Sequence, residues 1–203
     1  MKPILELKNV TKRYTGFTLD RVSFALEPGY IMGFIGPNGA GKTTTIKLIM
    51  NLIRPDEGEI KIFGLDHRRH EQEIKQRIGF VYDESNFYDT LTTTEMTKVI
   101  APLYKNWDWA AYRKYTEKLA LPDRKKLSQF SRGMKMKYAL ALALSHRAEL
   151  LVMDEPTSGL DPVVRSEFLD ILRDVIQDER CSVLLSSHIT SDLDQIADYV
   201  TLI

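Results

Sequence analysis

The chain has 203 residues, 43% of them hydrophobic, which is enough for one sizeable core or for a core with a subdomain. Lysine plus arginine number 28, and so do aspartate plus glutamate, which gives a net charge of zero. The chain therefore lacks the excess of basic residues that is typical of a dedicated nucleic-acid binder. The single cysteine, Cys181, excludes an internal disulfide and, within an apolar run, is predicted to be a small core residue. Without a run of ~20 apolar residues or a signal peptide, the sequence predicts a cytoplasmic protein.

Short strands are predicted within the first 35 residues. Residues 4–10 and 22–26 alternate between apolar and polar, and residues 30–35 form the apolar run typical of a buried parallel strand. Residues 12–16 are predicted to be an exposed loop. Its Tyr14 is either an ordinary loop aromatic or a ring that stacks on an adenine face, and spacing does not decide between the two.

The next stretch, residues 36–44, fits the phosphate-loop pattern of a glycine, four residues and Gly-Lys-Thr. Its glycines let successive N–H groups face one anion, Lys42 supplies a cation for the outer phosphates, and the Thr43 hydroxyl is a ligand for Mg²⁺. The helix predicted after it aims its positive end at the phosphates. An ordinary glycine-rich turn is the alternative, but pattern and context together predict a nucleotide site formed by Gly36, Pro37, Asn38, Gly39, Ala40, Gly41, Lys42, Thr43 and Thr44.

Two more strands, residues 59–64 and 78–82, precede a change of pattern. Between them, residues 67–70 (His-Arg-Arg-His) are predicted to be a solvated charged surface, because the histidines lack the partners of a metal site. From about residue 92 to 145 the pattern is helical. Four aromatic residues there are predicted to pack inside a small helical subdomain rather than to stack on bases: Trp107, Trp109, Tyr112 and Tyr115.

Two carboxylates follow the apolar run of residues 150–153, at the strand end where open α/β sheets bind ligands. Asp154 is placed to hold Mg²⁺, and Glu155 is placed to orient and deprotonate a water. The helix that opens at Pro162 is predicted to bury Phe168, Leu169, Leu172, Val175 and Ile176.

The last third of the chain contains one more candidate site residue. A buried strand, residues 182–188, ends at His188, for which contact with phosphate is favoured over a structural role. Residues 191–194 resemble a capping box that opens the last helix. Residues 199–203 are predicted to be a strand with no partner following it.

Together these motifs resemble the nucleotide-binding subunit of an ATP-binding-cassette (ABC) transporter, over essentially the whole chain. Residues 130–137 are similar to the family's Leu-Ser-Gly-Gly-Gln signature: Ser131 and Gly133 match, whereas Phe130, Arg132 and Met134 depart from its commonest form. The sequence of residues 154–162 is close to the one that the family usually has after this strand. His188 matches its switch histidine, and Tyr14 matches its adenine-stacking aromatic.

The resemblance implies an α/β fold: a P-loop NTPase core with a mixed or parallel sheet flanked by helices, an N-terminal antiparallel β subdomain and a helical signature subdomain. We assign residues 1–82 and 149–203 to the ATP-binding core and residues 83–148 to the helical subdomain. Two cassettes would pair head to tail, so that ATP on one phosphate loop is capped by the signature of the other. The implied nucleotide contacts outside the phosphate loop are Tyr14, Ser131, Arg132, Gly133, Met134 and Asp161.

Two departures from the family matter. Asp83, followed by Glu84, stands where the family has a glutamine, and we predict that Asp83 contacts Mg²⁺. Relatives usually continue past the last residue of this sequence, which predicts a truncated chain. Residues 83–91 leave the sheet at the nucleotide end and are predicted to dock a membrane partner through Phe87 and Tyr88. Alternatively, both rings seal the subdomain core.

The function that the resemblance implies is an ATPase that uses ATP and Mg²⁺ and powers a separate integral membrane subunit. It would work on the inner face of the cell membrane without nucleic acid. Residues 82–88 and 130–134 are most similar to bacterial drug, antibiotic-resistance and lantibiotic exporters. The alternatives are an ABC-type ATPase acting on ribosomes or DNA, which usually has two cassettes or long coiled coils, and a P-loop small-molecule kinase, which leaves residues 131–134 and His188 unexplained.

Overall fold

Helices and strands alternate along most of the chain. The computed structural model describes residues 2–82, 87–177 and 181–203, although the side chains of residues 175–177 are outside this set. In chain order the elements are β1 (Leu5–Tyr14), β2 (Phe17–Leu26), β3 (Ile31–Ile35), α1 (Lys42–Ile49), β4 (Glu57–Ile62), β5 (Leu65–Asp66), α2 (Glu71–Lys75), β6 (Ile78–Val81), α3 (Thr93–Ile100), α4 (Trp109–Lys118), α5 (Arg132–Leu144), β7 (Leu150–Asp154), α6 (Pro162–Gln177), β8 (Ser182–Ser187), α7 (Thr190–Ile196) and β9 (Tyr199–Leu202).

The strands form two sheets. The N-terminal sheet is antiparallel, in the order β2-β1-β4-β5, and the second sheet is parallel, in the order β6-β7-β8-β3-β9. One hydrophobic cluster lies between the two sheets and α1, and the other packs α5, α6 and α7 on the parallel sheet. The predicted α/β fold with an antiparallel N-terminal sheet is confirmed.

The parallel sheet determines where the candidate site lies. All residues of β7 and β8 are buried, as expected for central parallel strands with the apolar runs of residues 150–153 and 183–185. Asp154 at the end of β7 is opposite Ser186 of β8, and Ile35 at the end of β3 is opposite Ser187. The loops after these three strands therefore begin at the same edge of the sheet.

The region from residue 92 to 145 is helical, as predicted. Its described residues form no strand, and their only β-type pairing is an isolated bridge between Thr92 and Lys126. Tyr138 is fully buried at its centre and donates a hydrogen bond of 3.0 Å to the carbonyl oxygen of Thr93. Tyr112 is buried nearby, but Trp109 at the start of α4 is 47% exposed, so its predicted burial is wrong. The assigned boundaries of the helical subdomain stay a prediction.

The prediction of a loop at residues 12–16 is wrong, because β1 continues through Tyr14 and the turn comprises only Thr15 and Gly16. Register shifts within β1, next to Asn9 with its φ of 48°, break the alternation that would reveal a single long strand. Tyr14 is therefore a strand residue opposite Phe17, and the two rings stack with centroids 6.5 Å apart.

Residues 67–70 are predicted to be a charged surface, and this prediction is wrong for His67. His67 is 2% exposed, and its Nδ1 lies 3.2 Å from the carbonyl oxygen of Ile60. The backbone N–H of His67 donates to the same carbonyl, which turns the side chain inward after β5. Burial lowers the pKa of His67, whereas His70 stays exposed.

One prediction near the C-terminus is corrected and another is confirmed. The capping box at residues 191–194 is wrong, because α7 begins at Thr190 and its N-cap residue, Ile189, has no side chain that can cap it. The strand predicted at residues 199–203 is confirmed as β9, and its partner is the earlier strand β3, with which it pairs in parallel. In α6, Phe168, Leu169 and Leu172 are buried as predicted, and the side chains of Val175 and Ile176 lie outside the described set. Among the described helices, none is both long and apolar enough to cross a bilayer.

Candidate nucleotide-binding site

The phosphate loop connects β3 to α1, in the strand–loop–helix context that the sequence predicts. Gly41 precedes the helix with a φ of 110°, a conformation that side chains rarely adopt. A Cβ at Gly36 would lie 2.7 Å from Cγ2 of Ile203, so the loop passes directly over the residue that follows β9. Both glycines are therefore required by the path of the backbone.

Lys42, the first residue of α1, turns its side chain back into this loop. Its Nζ donates to the carbonyl oxygens of Gly36 at 2.7 Å and Pro37 at 3.2 Å, and it lies 3.2 Å from Oε1 of Glu155. The side chain is only 5% exposed. A buried ammonium within this loop, at the N-terminus of α1, is placed to bind an anion there.

A cavity of about 210 Å³ opens at this loop. Phe17 forms one side, and Glu155 is the lining residue contributed by the loop after β7; the remainder is Asn38, Gly39, Gly41, Lys42, Thr43 and Thr44. Tyr14 does not line the cavity itself but stacks on Phe17. A larger groove of about 980 Å³, lined by residues of the segment 68–77 and by residues 105–106, shares no residue with it.

Asp154 is the last residue of β7 and is 2% exposed. Its Oδ1 accepts a hydrogen bond of 2.7 Å from Oγ of Ser186, which itself is fully buried in β8. The same serine oxygen accepts a bond of 3.0 Å from the backbone N–H of Glu155. Ser186 thus fixes both carboxylate residues. It is not among the residues predicted from the sequence, although a serine near the carboxyl end of a buried strand was an available signal.

Glu155 lies just beyond the strand, with its backbone in the left-handed region at a φ of 45°. Its Oε2 is 2.6 Å from Nδ1 of His188, and its Oε1 faces Lys42. One carboxylate therefore joins the end of β7, the residue after β8 and the phosphate loop. The structure brings Lys42, Glu155 and His188 together, as a site for phosphate chemistry needs.

The oxygen groups at this edge fit a magnesium ion that shares its ligands with a nucleotide. Thr43 lines the cavity, and Oδ2 of Asp154 has no hydrogen bond from the described residues. Among those residues no cluster of three or more His, Cys, Asp or Glu side chains could hold a metal alone. Mg²⁺ in nucleotide sites needs only one or two protein ligands besides phosphates and water. Asp83, the third predicted ligand, lies outside the described residues.

The signature residues form a different surface. Ser131 caps α5, because its Oγ accepts a hydrogen bond of 3.2 Å from the N–H of Met134. A Cβ on Gly133 would lie 2.8 Å from Cγ1 of Val164 in α6, and one on Gly159 would lie 3.0 Å from the Arg132 guanidinium. None of the predicted signature residues lines the cavity at the phosphate loop.

Asp161 lies beside the signature residues rather than at the phosphate loop. Its Oδ1 accepts hydrogen bonds from the N–H groups of Val163 at 3.2 Å and Val164 at 3.1 Å. Asp161 therefore caps the first turn of α6. The structure groups the sequence-predicted residues into two sets, one at the phosphate loop and one at the start of α5 and α6.

A phosphate loop between a buried parallel strand and a helix, facing acidic residues at the end of another strand of the same sheet, defines a P-loop nucleotide-binding protein. The family model described as "ABC transporter" matches residues 19–158, more than half of the chain. A second model, described as "AAA domain, putative AbiEii toxin, Type IV TA system", matches residues 126–193.

Comparison with individual proteins also points to the first of these two families. The bacitracin transport ATP-binding protein BcrA of Bacillus licheniformis is 35% identical over 206 residues, covering 100% of this chain and 67% of that protein. The linearmycin resistance ATP-binding protein LnrL of Bacillus subtilis is 34% identical over 206 residues, covering 98% of this chain and 66% of that protein. A solved ATP-binding subunit of an ABC transporter superimposes with a TM-score of 0.87 at 28% identity, over 98% of this chain and 85% of that one.

The chain belongs to the ABC transporter family, as its ATP-binding and ATP-hydrolysing domain. It spans about two thirds of the length of the curated relatives that it matches.

Proposed function

We propose that this chain is the magnesium-dependent ATPase of a bacterial exporter and that it works as a head-to-tail dimer against an integral membrane subunit, on the inner face of the cell membrane. The observation that carries the proposal is the position of Glu155. Its carboxylate lies 3.2 Å from the ammonium of Lys42 and 2.6 Å from the imidazole of His188. A base, a phosphate-binding cation and a third polar group therefore meet at the phosphate loop.

The residues divide the chemistry among them. Backbone N–H groups of residues 36–44 and the ammonium of Lys42 bind the phosphates of ATP. Glu155 accepts the proton of the attacking water, and His188 orients the Glu155 carboxylate and lies close to the transferred phosphate. Thr43 and Asp154 would hold Mg²⁺, with Asp83 as a third ligand. When bound, the metal neutralises charge that develops on the phosphate oxygens.

The phosphate loop of one chain lacks the signature, which supports a dimer. Ser131 and the N-terminus of α5 offer a second anion-binding helix end, which does not line the cavity of its own chain. In a head-to-tail pair, Ser131, Arg132, Gly133 and Met134 of one chain would cap the nucleotide on the other. A two-fold axis then closes the assembly and gives two equivalent sites.

The export assignment is supported by the relatives, which include a bacitracin transport protein and a linearmycin resistance protein. Tyr88 offers an anchor for the membrane subunit, since it is 67% exposed close to the helical region. Nucleic acid has no role in this proposal, in keeping with the zero net charge of the chain.

Phosphate release from ATP tests the enzymatic part, with no acceptor substrate present and with Mg²⁺ either supplied or removed by a chelator. Turnover that requires Mg²⁺ but no acceptor supports an ATPase and excludes a kinase. Co-reconstitution with a polytopic membrane protein encoded beside the gene tests the transport part. Stimulation of turnover by that protein supports the exporter, whereas stimulation by ribosomes or DNA instead would contradict it.

A further inference from the structure

A buried carboxylate outside the nucleotide cavity connects the two segments that supply Glu155 and His188. Asp192, in α7, is completely buried. Its Oδ2 accepts a hydrogen bond of 2.7 Å from Oγ1 of Thr157, which is itself 1% exposed. Thr157 follows Glu155 by two residues, and Asp192 follows His188 by four.

The other oxygen of this carboxylate attaches α7 to α6. Oδ1 of Asp192 accepts a hydrogen bond of 2.5 Å from Nε of Arg165, and Nη2 of the same guanidinium donates to Oγ of Ser191 at 3.0 Å. A buried carboxylate is tolerated when it is paired and hydrogen-bonded in this way. Asp192 therefore has a fixed position from which to hold Thr157.

Glu155 needs such support. Its backbone has a φ of 45°, a conformation that costs free energy for any residue with a side chain. Strained residues persist only where their surroundings hold them in place. Ser186 holds the N–H of Glu155 from one side, and Thr157 is held by Asp192 on the other side.

We propose that Asp192 is a positioning residue, which acts through Thr157 to keep the carboxylate of Glu155 within hydrogen-bond distance of the imidazole of His188. This inference rests on the proposed ATPase function and adds to it a role for two residues that do not line the nucleotide cavity. A base displaced by a fraction of its contact distance loses much of its rate advantage while substrate still binds.

Thr157→Val tests the link directly, because valine keeps the shape of threonine and removes only the hydroxyl donor. The turnover number for ATP should fall by about 10-fold to 10²-fold, while the dissociation constant for ATP stays within about twofold. Thr157→Ser, which keeps the hydroxyl, should have nearly the turnover number of the wild type. Equal turnover in the valine and serine variants would overturn the proposal, and so would a loss of ATP affinity that matches the loss of turnover.

A double-mutant cycle separates positioning from general structural support. In a Glu155→Gln background there is no base left to position, so Thr157→Val should cause no further loss of the residual turnover. An additional loss as large as in the wild-type background would contradict the role. Unfolding of Thr157→Val at the assay temperature, monitored by circular dichroism, would also contradict it, since the pair would then support the whole fold.

Asp192→Asn provides a second arm, with Asp194→Asn as its control, because Asp194 is exposed on the same helix. Turnover should fall in the first variant and stay unchanged in the second. If the wild-type chain releases phosphate from ATP and Asp192→Asn is as active as Asp194→Asn, the positioning role fails while the ATPase proposal stands. If the wild-type chain does not hydrolyse ATP, the ATPase proposal itself fails.

Discussion

The ammonium of Lys42 forms an ion pair with the carboxylate of Glu155, with Nζ and Oε1 3.2 Å apart. The lysine is 5% exposed and the glutamate side chain 19%, so the pair is shielded from water. The same ammonium also donates to two carbonyl oxygens of the phosphate loop. Because these three acceptors surround the ammonium, the phosphate of an incoming nucleotide would compete with Glu155 and the two carbonyl oxygens for Lys42. Binding of ATP would then release the base for chemistry.

Removal of the cation should weaken nucleotide binding. In Lys42→Ala we expect the affinity for ATP to fall at least about tenfold, or ~1.4 kcal/mol, because charge-assisted hydrogen bonds to phosphate oxygens are lost. Isothermal titration calorimetry measures this directly. Lys61→Ala is the control, since Lys61 lies in β4 and does not line the cavity. Equal affinity in the two variants would remove the phosphate loop from the mechanism.

Glu155→Gln should separate chemistry from binding. Glutamine keeps the shape and loses the base, so turnover should fall by roughly 10²–10⁴-fold. Because glutamine does not compete for Lys42 as a carboxylate does, the variant should bind ATP at least as tightly as the wild type and accumulate as a dimer on size-exclusion chromatography. Glu149→Gln, just before the other end of β7, is the matched control with normal turnover. Near-normal turnover in Glu155→Gln would show that another group is the base.

The sequence predicts the fold class and the phosphate loop well, because both depend on local patterns: apolar runs for buried strands and a fixed glycine spacing for the loop. It fails where an outcome depends on a distant partner. Asp192 lies within the predicted capping box of residues 191–194 with no role of its own, yet its carboxylate pairs with Arg165, 27 residues earlier in the chain. His67 was assigned to the surface because its neighbours are charged, and only the turn after β5 buries it.

The two aromatic residues predicted to dock the membrane subunit have different environments. Phe87 packs against Tyr138 with ring centroids 5.0 Å apart, whereas Tyr88 is 67% exposed. The core-sealing alternative therefore holds for Phe87, and the docking role stays a prediction for Tyr88. The preceding residues of this segment, 83–86, lie outside the described part of the chain.

This difference predicts different outcomes for the two single variants. Phe87→Ala should destabilise the isolated chain, by up to about 3 kcal/mol, in chemical unfolding. Tyr88→Ala should leave stability and ATP binding unchanged but weaken co-purification with the membrane subunit. Tyr30→Ala, at a tyrosine that is 47% exposed beside β3, is the control for loss of an exposed ring. Normal co-purification of Tyr88→Ala would remove this residue from the docking surface.

Cys181 should be unreactive while the protein is folded. It is 5% exposed, and burial raises the pKa of its thiol to about 12, as expected for the predicted core residue. The reactive thiolate is then scarce at pH 8, so Ellman's reagent should label the native chain roughly 10³-fold more slowly than the unfolded chain. Denaturant should expose one thiol per chain. Fast labelling without denaturant would mean that the segment around Cys181, directly before β8, opens locally.

Stability should decrease as the pH falls below about 6.5, and His146 is one cause. This residue is 2% exposed, stacks on Tyr104 with ring centroids 3.8 Å apart, and has Nε2 3.0 Å from the carbonyl oxygen of Ile78. Burial lowers the pKa of His146 in the folded chain below the ordinary value of 6.5. The pKa of His67 is lowered for the same reason.

The sign follows from proton uptake. Between the lowered pKa values and pH 6.5 the unfolded chain binds more protons than the folded chain, so acidification favours unfolding. Urea unfolding should therefore give a smaller free energy of unfolding at pH 5.5 than at pH 7.5. Carboxylates such as Asp108, whose pKa is lowered by Arg147, titrate below this range and do not contribute.

His146→Gln should reduce the difference between the two pH values, because the amide does not titrate, although the variant is less stable at both. His70→Gln, at a half-exposed histidine, should keep the full difference. If the wild type is equally stable at pH 5.5 and 7.5, or if His146→Gln keeps the full difference, the buried imidazole of His146 does not cause the acid sensitivity.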